Sequence, residues 1–138
     1  MWLDLAPLRN GIDAQREVDV ATCPTLAFAE KNLRSIIYNL VSNALKYRRA
    51  DRTPQIRLRC YQSGNYRVLA VQDNGLGIDL NATRERKLFG LFQRLHDHVE
   101  GSGIGLYMVK KIITNAGGRI EVESQLGVGS TFLVYFPQ

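Results

Sequence analysis

Cysteine is scarce: Cys23 and Cys60 are the chain's two, too few for a disulfide framework and in no C-x-x-C pair that would suggest zinc or redox chemistry. Their spacing predicts reduced, partly buried thiols. Long apolar runs are missing as well. Nothing approaches the roughly 18 consecutive apolar residues that span a bilayer, and Met1-Trp2-Leu3-Asp4 lacks the basic-then-apolar plan of a signal peptide. The expectation is a cytoplasmic chain without direct membrane contact, any anchor of a parent protein lying outside it. Internal repeats and low-complexity tracts are also lacking, which leaves one continuous unit.

What is present is ordinary globular material, 45% hydrophobic and 22% charged over 138 residues, a length that suits one domain across 1–138. The formal charge of +5 raises the question of nucleic acid. The basic residues are dispersed, from Arg48, Arg49 and Arg52 through Arg57 and Arg59 to Lys110 and Lys111. Aromatic stacking platforms do not accompany them, so they read as solvated charge and no nucleic-acid partner is expected.

Residues 1–21 are poorly defined. Leu5, Leu8 and Ile12 hint at a helical turn, while Val18, Val20, Leu26 and Phe28 fit two short strands around Cys23-Pro24. From 30 to 47 the spacing of Leu33, Ile36, Ile37, Leu40, Ala44 and Leu45 predicts a core-facing helix. The polar stretch 48–54 ends in proline and reads as a loop. Alternation of Ile56, Leu58 and Cys60 with Arg57, Arg59 and Tyr61, resumed over 66–72, predicts a hairpin. A long glycine-containing segment follows to about Ser102, of the length that usually forms a lid. Residues 104–116 are helical, with Met108, Val109, Ile112 and Ala116 on one face. Strands over 119–124 and 130–136 close the chain. The sum is an α/β two-layer sandwich with helices on one face of a largely antiparallel sheet.

Three constellations carry chemistry. Asn39, Asn43 and Lys46 fall at i, i+4 and i+7 on one helix edge, within an arc of roughly 60°. Asparagine is a poor helix-interior residue, whereas an amide oxygen is a hard ligand suited to Mg²⁺ and an ammonium suits phosphate. Taken alone, the edge fits a solvated face equally well. Asp73-Asn74-Gly75-Leu76-Gly77 follows a strand. Its carboxylate can accept from an exocyclic amine, and its glycines let backbone approach a flat ring. The same residues also spell a plain turn. Gly101-Ser102-Gly103-Ile104-Gly105-Leu106 opens a helix, where bare N–H groups form an anion site fit for a triphosphate. The pattern is neither the Rossmann nor the P-loop fingerprint.

In order along the chain, Asn-Leu-Val-Ser-Asn-Ala-Leu-Lys-Tyr (39–47), Asp-Asn-Gly-Leu-Gly (73–77), Leu-Phe-Gly-Leu-Phe-Gln-Arg (88–94), Gly-Ser-Gly-Ile-Gly-Leu (101–106) and Gly-Val-Gly-Ser-Thr-Phe (127–132) resemble the N, G1, F, G2 and G3 boxes of sensor histidine kinase catalytic domains. The resemblance covers roughly residues 18–138. It implies the Bergerat fold of the GHKL superfamily, with a flexible ATP lid at about 78–103.

The resemblance further implies that the chain binds ATP with Mg²⁺ and donates the γ-phosphate to a histidine on a separate dimerisation and phosphoacceptor domain, with a response regulator receiver domain downstream. By motif position, Asn43 is the Mg²⁺ ligand, Asn39 its polar partner, Lys46 a phosphate contact and Arg94 a group near the γ-phosphate. Tyr47 flanks the nucleotide. Asp73 receives the adenine amine, aided through water by Thr131, with Gly75 and Gly77 giving room and Ile78 and Ile104 lining the pocket. Phe89 and Phe92 anchor the lid. Gly101, Gly103, Gly105 and the N–H of Leu106 hold the phosphates. His96 and His98 read as polar lid residues, not phosphoacceptors. The competing functions are a GHKL ATPase, in which a glutamate occupies the position of Asn39, a serine kinase of the anti-sigma type, and a nucleotide-binding module without catalysis.

Overall fold

The computed structural model describes residues 2–4, 15–19, 25–80, 88–90 and 105–138. The elements run β1 (Trp2–Asp4), β2 (Gln15–Asp19), β3 (Thr25–Ala27), α1 (Glu30–Lys46), β4 (Gln55–Ser63), β5 (Tyr66–Asp73), α2 (Gly105–Asn115), β6 (Arg119–Gln125) and β7 (Gly129–Pro137). The anticipated helical turn near Leu5, Leu8 and Ile12, and most of the anticipated lid, lie outside the described residues. The two short strands expected around Cys23-Pro24 are β2 and β3.

The described strands form a sheet in the order β2-β4-β5-β7-β6, with β1 and β3 paired separately. Only the β2–β4 pairing in that sheet is parallel. The hairpin β4–β5 closes tightly: Ser63 lies opposite Tyr66, leaving Gly64 and Asn65 as the turn, with Gly64 at φ 57°. Helices cover one face of this sheet, which is the two-layer arrangement the sequence predicts.

α1 ends where its sequence turns polar. Glu30 in the first turn and Lys46 in the last match the helix dipole. The Tyr47 and Arg48 amides cap the carbonyls of Asn43 and Leu45, and the Arg48 guanidinium adds a bond to Leu45 at 2.7 Å. The helix buries Leu33, Ile36, Ile37, Leu40 and Ala44 in one cluster with Ile56, Leu58, Leu69, Val71, Val134 and Phe136 from the sheet. Phe28 leans edge-on against Phe136 at 4.9 Å. On the opposite sheet face Val68, Ala70 and Leu133 are buried beneath Tyr61 and Tyr135, and Arg119 lies 3.9 Å over the Tyr135 ring.

Two expectations change. α2 buries Leu106, Val109 and Ile113; Met108 is 38% exposed and Ala116 is exposed too, so the helix is rotated from the face its periodicity suggested. α1 and the sheet together select the 106–109–113 stripe. Cys60 is buried and disulfide-bonded rather than a reduced thiol, its partner lying outside the described residues. Sequence spacing cannot reveal cysteines that folding brings together.

Ile36 sits fully buried at the centre of the α1 stripe, while Tyr38 is exposed. Ile36→Ala should lower the unfolding free energy by about 2–5 kcal/mol through lost burial and the cavity left behind, and Tyr38→Ala should change it by about 0.5 kcal/mol or less. Urea denaturation of both variants checks this; equal losses would mean the helix is packed on a different face.

Candidate nucleotide site

The polar edge of α1 meets the first residue of α2. Asn39 Nδ2 donates to the Ser35 carbonyl at 2.8 Å. Its Oδ1 lies 3.1 Å from where a Cβ on Gly105 would sit, so a larger residue there would press on the amide. Asn43 stands one turn further on, half-buried, and its carboxamide makes no hydrogen bond to a described residue. Lys46 is exposed at the helix end. An amide oxygen without a bond to a described residue, on the same helix edge as an ammonium, is the chemistry that a phosphate-bound divalent cation needs.

Asp73 is the last residue of β5 and faces Ser130 on β7. Its Oδ1 accepts the Gly75 N–H at 2.9 Å, and the Ser130 backbone N–H also bonds the carboxylate. Burial pushes the Asp73 carboxyl above its ordinary range, and the two N–H bonds oppose that shift. The adjoining glycines are required by close approach of backbone to backbone. A Cβ on Gly75 would fall 2.4 Å from the Tyr47 carbonyl oxygen, and one on Gly77, at φ 72°, 2.2 Å from that of Gln125. Leu76 stitches these neighbours together: its N–H donates to the Tyr47 carbonyl at 2.8 Å, and its own carbonyl accepts the Gly127 N–H at 2.7 Å.

With the sheet, the Asp73 turn and the α1 edge in place, comparison with known proteins is decisive. The family described as "Histidine kinase-, DNA gyrase B-, and HSP90-like ATPase" matches residues 29–138. The chain belongs to this family. Cyanobacterial phytochrome A of Nostoc sp. is 40% identical over 116 residues, 83% of this chain and 15% of that protein. The circadian input-output histidine kinase CikA of Synechococcus elongatus is 37% identical over 112 residues, 78% of this chain and 14% of that protein. Full-length ShkA, solved in complex with AMPPNP, superposes with a TM-score of 0.74 at 27% identity, covering 92% of this chain and 26% of ShkA. The chain is thus a histidine kinase catalytic and ATP-binding domain of the GHKL superfamily, and it spans under a third of these relatives' length.

Within this histidine kinase domain the structure sets Asn39 against Gly105, and Tyr47 against Gly75, which is bonded to Asp73; Asn43 lies between them along α1, and Gly77 and Ile78 continue the turn after β5. Ile78 is buried, and its N–H donates to Ser124 Oγ at 2.8 Å. Leu106 is buried in the core cluster at the start of α2. Leu88 and Phe89 are buried as well, Phe89 against Phe132 with the Lys110 ammonium 5.3 Å from its ring, so the described part of the predicted lid is fastened to the core. Phe92, Arg94, His96, His98, Gly101, Gly103 and Ile104 lie outside the described residues.

Thr131 is not brought to Asp73. It pairs with Gln72, and strand alternation sends its side chain to the opposite face of the sheet. Ser130 takes that place; its Oγ is 2.7 Å from Ser124 Oγ, which also donates to the Gly129 carbonyl at 2.9 Å. The sequence reading missed Ser124, Ser130 and Asn74. The Asn74 side chain accepts from the Gln55 N–H at 2.9 Å and donates to the Thr53 carbonyl at 3.1 Å, clipping the turn after β5 to the end of the loop that leads into β4. The signal for Ser130 was available, since an antiparallel pair with Asp73 at its end requires a partner of the same parity.

A carboxyl whose folded pKa is raised costs stability once ionised. That cost is absent below the unfolded value of 3.8 and grows as pH rises through the raised folded value. Asp73→Asn should therefore gain stability over the ligand-free wild type on going from about pH 4 to about pH 7. Thermal melts across that range test it; a wild-type–variant difference that does not move with pH would contradict the burial-driven shift.

Proposed function

We propose that this chain binds Mg²⁺–ATP and donates the γ-phosphate to a histidine carried by a dimerisation and phosphoacceptor domain, with a response regulator receiver domain downstream in a two-component pathway, in the cytoplasm. The observation that carries the reading is the Asp73 carboxylate, half-buried at a strand end with Gly75 and Ser130 N–H groups fixing it. A carboxylate held this way recognises an amine donor on a flat ring, as the adenine amine is. ShkA, which holds AMPPNP, supports the same ligand class. Asn43 would hold the Mg²⁺, which when bound offsets phosphate charge. Lys46 contributes an ammonium to the phosphates, and the start of α2 contributes backbone N–H groups.

Phosphoryl transfer asks little covalent chemistry of the donor domain, which positions and neutralises while the acceptor imidazole supplies the nucleophile. Hydrolysis is disfavoured as the main activity. Asn39 occupies the position where the ATPases of this superfamily place a glutamate. Its amide nitrogen is committed to the Ser35 carbonyl, and a neutral amide cannot take a proton from water.

Asp73→Asn should weaken ATP and ADP binding more than tenfold, since a hydrogen bond to a charged group is worth ~1.5–3 kcal/mol, and the wild type should prefer ATP to GTP. Asn43→Ala should shift the Mg²⁺ midpoint of ATP binding while Asn39→Ala shifts it less. Calorimetric titration checks each, and equal affinity for ATP and GTP would end the adenine reading. With γ-labelled ATP the chain alone should stay unlabelled, and adding the parent's phosphoacceptor domain should produce acid-labile phosphohistidine on that domain. Label retained on the isolated chain and lost in a His96→Ala, His98→Ala double variant would reassign the acceptor.

A further inference from the structure

The loop between α1 and β4 is bound to the turn between β6 and β7 by two arginines that sequence composition assigns to scattered surface charge. Arg49 grips Asp51 through Nε and Nη2, with Nε 2.8 Å from Oδ1. That bidentate hold turns the remaining Nη1 onto the Gly127 carbonyl at 2.6 Å. Arg52 brings a single nitrogen, Nη2, within reach of three carbonyls: Gly127 at 2.9 Å, Val128 at 3.2 Å and Gly75 at 3.3 Å.

These carbonyls belong to the two turns that supply the donors to Asp73. Gly75 itself gives one N–H, and Val128 lies two residues before Ser130, which gives the other. Three carbonyl oxygens converging on one point repel one another unless a cation lies among them. Apolar packing does little for the β6–β7 turn, because Leu126 and Val128 are 58% and 53% exposed. Polar bonds therefore hold it: the Gly127 N–H to Leu76, and the two guanidinium groups on its carbonyl side.

We propose that Arg52, steadied by Arg49, is a positioning residue of the nucleotide site, holding the Gly75 and Gly127 turns at the separation in which Gly75 and, at the start of β7 just past the Gly127 turn, Ser130 both donate to Asp73. The proposal rests on the reading of Asp73 as the adenine acceptor. Arg52 acts through that carboxylate, so its loss should be felt at the base and not at the phosphates.

The test uses the whole chain as Arg52→Ala, Arg52→Lys and Arg49→Ala, with ATP, ADP and GTP titrated calorimetrically. Arg52→Ala should weaken ATP and ADP by the same factor, about five- to tenfold, and narrow the ATP-over-GTP preference by a similar factor. The Mg²⁺ midpoint should stay unchanged. Arg52→Lys should recover part of both losses, since an ammonium restores the charge without the planar fork. Arg49→Ala should cost less, because Arg52 still engages Gly127. A wild type that prefers ATP beside an Arg52→Ala variant with undiminished preference overturns the clamp alone. A lowered melting temperature in Arg52→Ala with the preference intact does the same, marking a purely structural bond. A wild type that binds ATP and GTP equally overturns the adenine reading and the clamp with it.

Discussion

At the end of β5 a carboxylate has been drawn partly out of water. Left to itself such a group would keep its proton to higher pH than an ordinary carboxyl or draw solvent in after it, and the protein opposes both with two backbone N–H bonds. One donor sits two residues along in the same turn, and the other arrives from β7. The pairing of β5 with β7 is therefore a condition of the site as well as a feature of the sheet, since Asp73 and Ser130 are opposite each other in its register. The glycines follow from the same demand: two turns can approach this closely only where no Cβ intervenes.

The dependence runs outward from there. The Leu76 amide reaches the Tyr47 carbonyl at the end of α1, the Leu76 carbonyl reaches Gly127, and Ser124 joins Ile78 to Gly129 and Ser130. In the helical layer the end of α1 is tied to the Asp73 turn by the Leu76 bond, while α2 is held by the packing of Leu106, Val109 and Ile113 in the core. A ligand that bonded Asp73 would thus meet groups already arranged, and the cost of burying the carboxylate is met during folding rather than at binding.

What the sequence made legible were the features that recur at fixed periods or as contiguous motifs. α1 and its buried stripe, the β4–β5 hairpin and the order of the boxes all follow from spacing. What it concealed depended on approach and register. In α2, Val109 serves equally well in a 108–109–112 or a 106–109–113 stripe, and only the direction from which α1 packs chooses between them. Thr131 and Ser130 are adjacent and chemically alike, yet a period of two puts them on opposite faces, and the pairing with β5 decides which one joins Asp73. The parallel pairing of β2 with β4 and the bond at Cys60 join segments distant in sequence. Arg49 and Arg52 looked like solvated charge because their partners are main-chain carbonyls, which carry no signature in any side-chain pattern.

Asn39 and Tyr47 lie eight residues apart on or at the end of one continuous helix, which at 1.5 Å per residue separates them by roughly 12 Å. One end abuts Gly105 and the other receives the Leu76 amide beside Asp73. α1 consequently serves as a ruler: it fixes the span between the polar group at the start of α2 and the carboxylate turn on the sheet. Because a helix hardly stretches, a ligand touching both marks is gauged by its length as well as by its chemistry.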